Sequence, residues 1–117
     1  MRTALTILAT FSMLAAAPAA AFQKVDDRDR FVGLIQGKEL KRFGVTLVVT
    51  PDGTIRGRGF GRPVTGAWNW NQGYFCRSLV WGERDLGDNC QEVRVQGETI
   101  RFTSDQGAGD FADLQLR

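Results

Sequence analysis

From Val45 onward the chain falls into short apolar or alternating runs separated by turn residues, the period-two signature of half-buried strands. "VTLVVT" (45–50) is β-branched and is followed by Pro51-Asp52-Gly53, where proline fixes φ and glycine accepts a positive one. Further runs lie at 54–60, 65–70, 74–81, 90–96, 99–103 and 111–116, broken by "NQG", "GERDLGDN", "QGE" and "SDQGAGD". Ahead of them, "DRDRFVGLIQ" carries Phe31, Leu34 and Ile35 at helical spacing, with Asp26 or Asp27 as cap and Gly37 as stop. The pattern predicts a mainly β protein. Its expected form is a small antiparallel meander or barrel of about 7–8 strands with one short N-terminal helix.

The first 21 residues read as a signal peptide: Arg2 is the positive end, Ala4 to Leu14 the apolar run, and Ala19-Ala20-Ala21 an A-x-A cleavage site. The expected product is one domain, residues 22–117, periplasmic or secreted, with no membrane span after signal removal. Removing Arg2 leaves 14 basic against 13 acidic side chains, which argues for neither nucleic acid nor an acidic partner surface. In an exported chain of this size Cys76 and Cys90 are expected to form a disulfide. The alternatives are two buried thiols or half a zinc site, the latter disfavoured by the absence of histidine.

Gly57, Gly59 and Gly61 recur with period two, so on a strand they share one face, whereas a dinucleotide-binding loop needs its glycines in a turn opening a helix. A connection centred on Arg62 and Pro63 sets Gly57 opposite Trp68 and Ile55 opposite Trp70, the glycines making room for indoles. Proline fits poorly in a tight primed turn, so this register admits a one-residue slip or a bulge. In "WNQGY" a three-residue loop with Gly73 left-handed is expected. It pairs Trp70 with Tyr74 and Trp68 with Cys76, and sends Phe75, Arg77, Leu79 and Trp81 to the other face. A two-residue loop reverses this and puts Arg77 among the tryptophans.

The series Gly66-x-Trp68-x-Trp70, Gly73-Tyr74-Phe75-Cys76-Arg77, Trp81-Gly82, Asn89-Cys90-Gln91, Ile100-Arg101-Phe102 and Ser104-Asp105-x-Gly107-x-Gly109 resembles a family of short secreted bacterial proteins. Some members carry the label dihydrodipicolinate reductase, which implies an NAD(P)H-dependent enzyme of lysine synthesis in the cytoplasm. This sequence departs from such reductases: it has no N-terminal strand-glycine-helix unit, no histidine pair, and an export signal.

Without histidine there is no Ser-His-Asp or Cys-His pair and no ordinary zinc or iron site. Beyond the signal the serines are Ser78 and Ser104, and the paired acids Glu83 with Asp85 and Asp105 with Asp110 sit in turn sequences. "DQGAGDFAD" offers Asp105, Asp110 and Asp113 as oxygen donors but lacks the spacing and closing glutamate of an EF-hand. The reading leans away from an enzyme, and no catalytic, cofactor or metal residues are assigned.

The candidate binding residues are Arg77, Trp81 and Arg84, then Trp68 and Trp70, then Arg56 and Arg58. They are weighed against core packing for the indoles and a solvated outer face for the arginines. The segment Gly82–Asn89 is expected as a stiff polar loop held at its base by Cys90. The function expected is a non-catalytic binding module, inhibitor-like in architecture, for a protein or a small anionic or aromatic ligand. The reductase of the label and an envelope structural or stress protein are the alternatives.

Overall fold

The computed structural model describes residues 3–10, 12 and 21–117. Of the expected signal peptide, residues 1, 2, 11 and 13–20, including Ala19 and Ala20 of its cleavage motif, lie outside the described residues. Residues 3–10 are exposed and carry no regular structure. Every helix, strand and core residue described lies from Phe22 onward.

The helix starts where a carboxylate can satisfy an orphan amide. Asp27 holds extended backbone and its side chain accepts from the Arg30 amide at 2.8 Å, so α1 runs Arg28–Ile35. Gly37, at φ +72°, turns the chain away. The strands are β1 (Gln23–Lys24), β2 (Leu40–Arg42), β3 (Val45–Val49), β4 (Thr54–Gly59), β5 (Arg62–Asn71), β6 (Tyr74–Trp81), β7 (Arg84–Gln96), β8 (Thr99–Thr103) and β9 (Phe111–Leu116). Each strand from β2 onward pairs antiparallel with the next, and β9 returns to β2 through Leu40 opposite Leu116. The result is a closed eight-stranded barrel. Closure removes the free sheet edges that invite aggregation.

β7 is long because it serves two neighbours on one side. Its first half pairs with β6, from Trp81 opposite Arg84 to Phe75 opposite Gln91; beyond that point β1 takes over with Lys24 opposite Arg94. The whole segment 82–89 was expected as a loop. Only Gly82 and Glu83 form the turn, and Arg84 to Asn89 are strand, with a register shift at Leu79/Val80. "ERDLGDN" has no β-branched residue to announce a strand. Pairing to β6 and the cross-strand disulfide Cys76–Cys90 hold it there.

Two turn registers also differ from expectation. β4 and β5 are joined by Phe60-Gly61, both with positive φ, so Gly57 faces Val64 and Ile55 faces Gly66. Phe60 is therefore a turn residue and not part of a strand face with Arg56 and Arg58. β5 and β6 are joined by the two residues Gln72-Gly73, so Trp68 pairs with Arg77 and Trp70 with Phe75. The reversed register is the one formed: Arg77 lies inside with the tryptophans, and Cys76 and Cys90 lie on the outer wall.

Inward-pointing residues from all the barrel strands make the core, and α1 closes one end of it. Phe31, with no exposed surface, sets its ring 5.2 Å from Trp68, 5.2 Å from Trp70 and 5.1 Å from Phe75. Gly57 and Gly66 face the interior where neighbouring backbones crowd in. A Cβ on Gly57 would overlap the Thr46 carbonyl, and one on Gly66 the Ser78 carbonyl. The space those two glycines provide is thus taken by backbone, while Gly59 lies under the Trp81 indole, whose Nε1 donates to the Gly59 carbonyl at 2.7 Å.

Candidate ligand-binding site in the barrel

Opposite the helix, the barrel ends in the turns Phe43-Gly44, Phe60-Gly61 and Gly82-Glu83 and the segment 104–110 that joins β8 to β9. Between this end and the helix lies a cavity of about 220 Å³. Phe75, Phe102, Val49 and Ile55 are buried residues of its lining. Leu47, Leu79 and Leu114 add to its wall, and Arg42 and Val45 line it beside the β2–β3 turn. Eight strands enclose a space just wide enough for side chains or for one small ligand, and here part of that space is empty.

Arg77 supplies the charge. It comes from the middle of β6, opposite Trp68 on one side and Asn89 on the other, and is half-buried. Its Nη1 donates to the Gly87 carbonyl at 3.0 Å. Among the described residues no carboxylate lies within ion-pair distance of it. Asp85 instead caps the Gly87 amide at 2.8 Å, and Glu92 pairs with Arg94. Burial is the largest influence on the Arg77 pKa and pulls it down, opposed by the negative charge of Asp88. A guanidinium nevertheless stays protonated in proteins, so Arg77 is a charged fork with donors to spare against an apolar wall. Gln91, also on the lining, donates to Ser104 Oγ at 3.2 Å. Asn89 exchanges hydrogen bonds of 2.8 and 2.9 Å with Asp105, tying the 104–110 segment to β7.

The other candidate residues divide by location. Trp68 is core: its Nε1 donates to the Thr50 carbonyl at 2.9 Å and its ring meets Phe31 edge-on. Trp70 stacks on Phe31 at the helix end. Trp81 stands near the open end, with the Arg62 guanidinium 5.0 Å from its ring centroid. Arg84 is exposed in the hairpin opposite Trp81. Arg56 and Arg58 are exposed on the outer wall, and Arg58 Nη2 donates to the Gly61 carbonyl at 2.7 Å. The carboxylates once considered together for calcium have separate environments, Asp105 with Asn89 and Asp113 with Arg101. Sequence reasoning did not reach Arg42 or Gln91. Arg42 sits in a strand of three residues, "LKR", whose two charges mask the period-two signal.

The cavity thus joins an apolar wall to a half-buried arginine that forms no ion pair among the described residues. Compared with protein-family models, with curated proteins and with solved structures, the chain matches none.

Proposed function

We propose that this protein is an exported, non-catalytic binding module whose barrel interior takes a small apolar molecule bearing an anionic group, such as an aromatic or short-chain carboxylic acid. The observation that carries the reading is Arg77, which lines an apolar cavity and forms no ion pair with a carboxylate among the described residues. A half-buried charge without an ion-pair partner is only partly compensated, and a ligand carboxylate accepting a bidentate fork compensates it further. A cavity of about 220 Å³ exceeds the ~150 Å³ that admits benzene in an engineered core, so a ring plus a carboxylate side chain is the right scale. The disulfide supports a periplasmic or secreted location, since such bonds persist in oxidising compartments. Phe75, Arg77 and Phe102, all within the resembled motif, line the cavity, which supports extending the reading to that family of short secreted proteins.

The test is an NMR titration of the chain from Phe22 with phenylacetate and with its neutral amide, reading the Arg77 side-chain resonance and the methyls of Leu47 and Leu79. Saturable shifts with phenylacetate at a Kd of roughly 10⁻³ to 10⁻⁵ M are expected, with binding of the amide weaker by about tenfold. Arg77→Met is expected to abolish the discrimination and to change stability by no more than about 1 kcal/mol, because it removes a buried charge and leaves an apolar side chain of similar reach. Absence of saturable shifts with both compounds would remove the cavity as the site.

A further inference from the structure

We propose that the lip formed by the β2–β3 and β4–β5 turns at the open end is a docking surface for an anionic lipid bilayer. Phe43 and Phe60 occupy the tips of these adjacent turns and are 92% and 65% exposed. Their ring centroids lie 6.4 Å apart. The Phe60 amide donates to the Gly44 carbonyl at 2.7 Å, and the Phe60 ring lies where a Cβ on Gly44 would be. The two tips are therefore held as one unit. Phe60 stands at φ +48°, a position where asparagine or glycine serves a hairpin better, so the fold itself gives no reason for phenylalanine there.

The charge around these tips is one-sided. From Leu40 to Gly82 the chain carries Lys41, Arg42, Arg56, Arg58, Arg62 and Arg77 against a single acid, Asp52. Asp52 belongs to the β3–β4 turn, at the helix end of the barrel. Arg58 donates to the Gly61 carbonyl beside Phe60 and Arg42 borders the Phe43-Gly44 turn, while Arg62 follows Gly61 and stacks on Trp81; the acids Glu83, Asp85, Asp105 and Asp110 lie in or beside the other turns of the open end. Exposed aromatic tips set in a cationic field are the chemistry of the headgroup boundary: rings enter the acyl edge and guanidiniums meet phosphates. A bilayer also asks for no matching pocket, which suits two convex tips better than a folded protein surface does. The docking is independent of what the cavity holds.

Flotation of the chain from Phe22 tests this, since that form lacks the exposed Leu5, Ile7 and Leu8 of the N-terminal segment. Vesicles of phosphatidylcholine alone and of phosphatidylcholine mixed with phosphatidylglycerol are compared. Binding to the mixed vesicles is expected, falling at least roughly tenfold without phosphatidylglycerol and weakening as salt rises. The double variant Phe43→Ser, Phe60→Asn, in which asparagine tolerates the left-handed position, is expected to lose roughly tenfold or more with an unchanged near-ultraviolet circular dichroism spectrum. A second variant, Arg58→Gln with Arg62→Gln, is expected to lose the preference for phosphatidylglycerol. Failure to float with either vesicle, as a lip built for a protein partner predicts, overturns the proposal, and so does wild-type flotation of the phenylalanine variant.

Discussion

At the scale of single residues, the wall of the barrel is decided by glycines whose neighbours differ. Gly66 has the Ser78 carbonyl where its Cβ would be, and Gly61 has open space but a φ of +80°. Gly66→Ala forces two paired strands apart and is expected to cost about 2 kcal/mol or more, whereas Gly61→Ala bears only a conformational penalty of about 1 kcal/mol. Urea unfolding of both variants checks the order, and equal losses would mean that β5 and β6 yield to the added methyl without cost. The period-two spacing placed Gly57 and Gly59 on one face, as β4 has them, while Gly61 falls in the turn beyond. That spacing did not show what fills the space, because partners across a sheet depend on turn length. Arg77 makes the same point. Its face hinged on one residue at Gln72-Gly73, and Gln72 accepts the left-handed conformation, φ +51°, that the sequence reading had reserved for glycine.

Elements were legible in proportion to how much of their conformation is locally encoded. The helix, with its Asp27 cap and Phe31 and Ile35 on one face, was readable because capping and 3.6-residue spacing are local. The strands 74–81, 99–103 and 111–116 were readable to their ends because turn residues bound them on both sides. Arg84 to Asn89 was not, since only the pairing with β6 and the disulfide makes it strand. That bond is placed between directly opposed residues separated by 14 in sequence. Its removal by Cys76→Ser with Cys90→Ser is expected to lower stability by about 3 kcal/mol on loop-closure grounds. Because both sulfurs sit on the outer wall, phenylacetate binding inside should be unchanged at temperatures where the variant remains folded. A loss of affinity in the folded variant would show that the disulfide positions Arg77 through β6.

For the whole molecule, a barrel was expected, but not the strand that closes it: the ring passes through the three-residue β2 and its pairing with β9. The near-neutral net charge likewise concealed a division into a basic side, strands β2 to β6, and a more acidic side, β7 to β9. On the acidic side one arginine joins distant parts of the chain. Arg101 donates to both oxygens of Asp113, at 2.8 and 3.0 Å, and its guanidinium lies 4.1 Å from the ring centroids of both Phe22 and Phe111. The hydrogen bond from Arg101 is the chief cause that holds the Asp113 carboxyl below the usual carboxylate range, with burial opposing it. Since the unfolded chain has no such partner, it takes up the proton first as pH falls. The stabilisation is therefore fully present above the ordinary carboxylate value and is lost as pH drops through the lower folded value. The pair is about one-third exposed, which limits the effect to about 1 kcal/mol. Asp52, hydrogen-bonded by Thr50 and Thr54, is shifted in the same direction, so the wild type is expected to lose stability between about pH 5 and about pH 2 from more than one site. Urea midpoints for wild type and Asp113→Asn across that range isolate the Arg101 contribution. The variant should start lower near pH 5 and converge on the wild type as the pH falls. Parallel curves would assign the acid sensitivity to other carboxylates and leave the Phe22–Arg101–Phe111 stack as a packing contact alone.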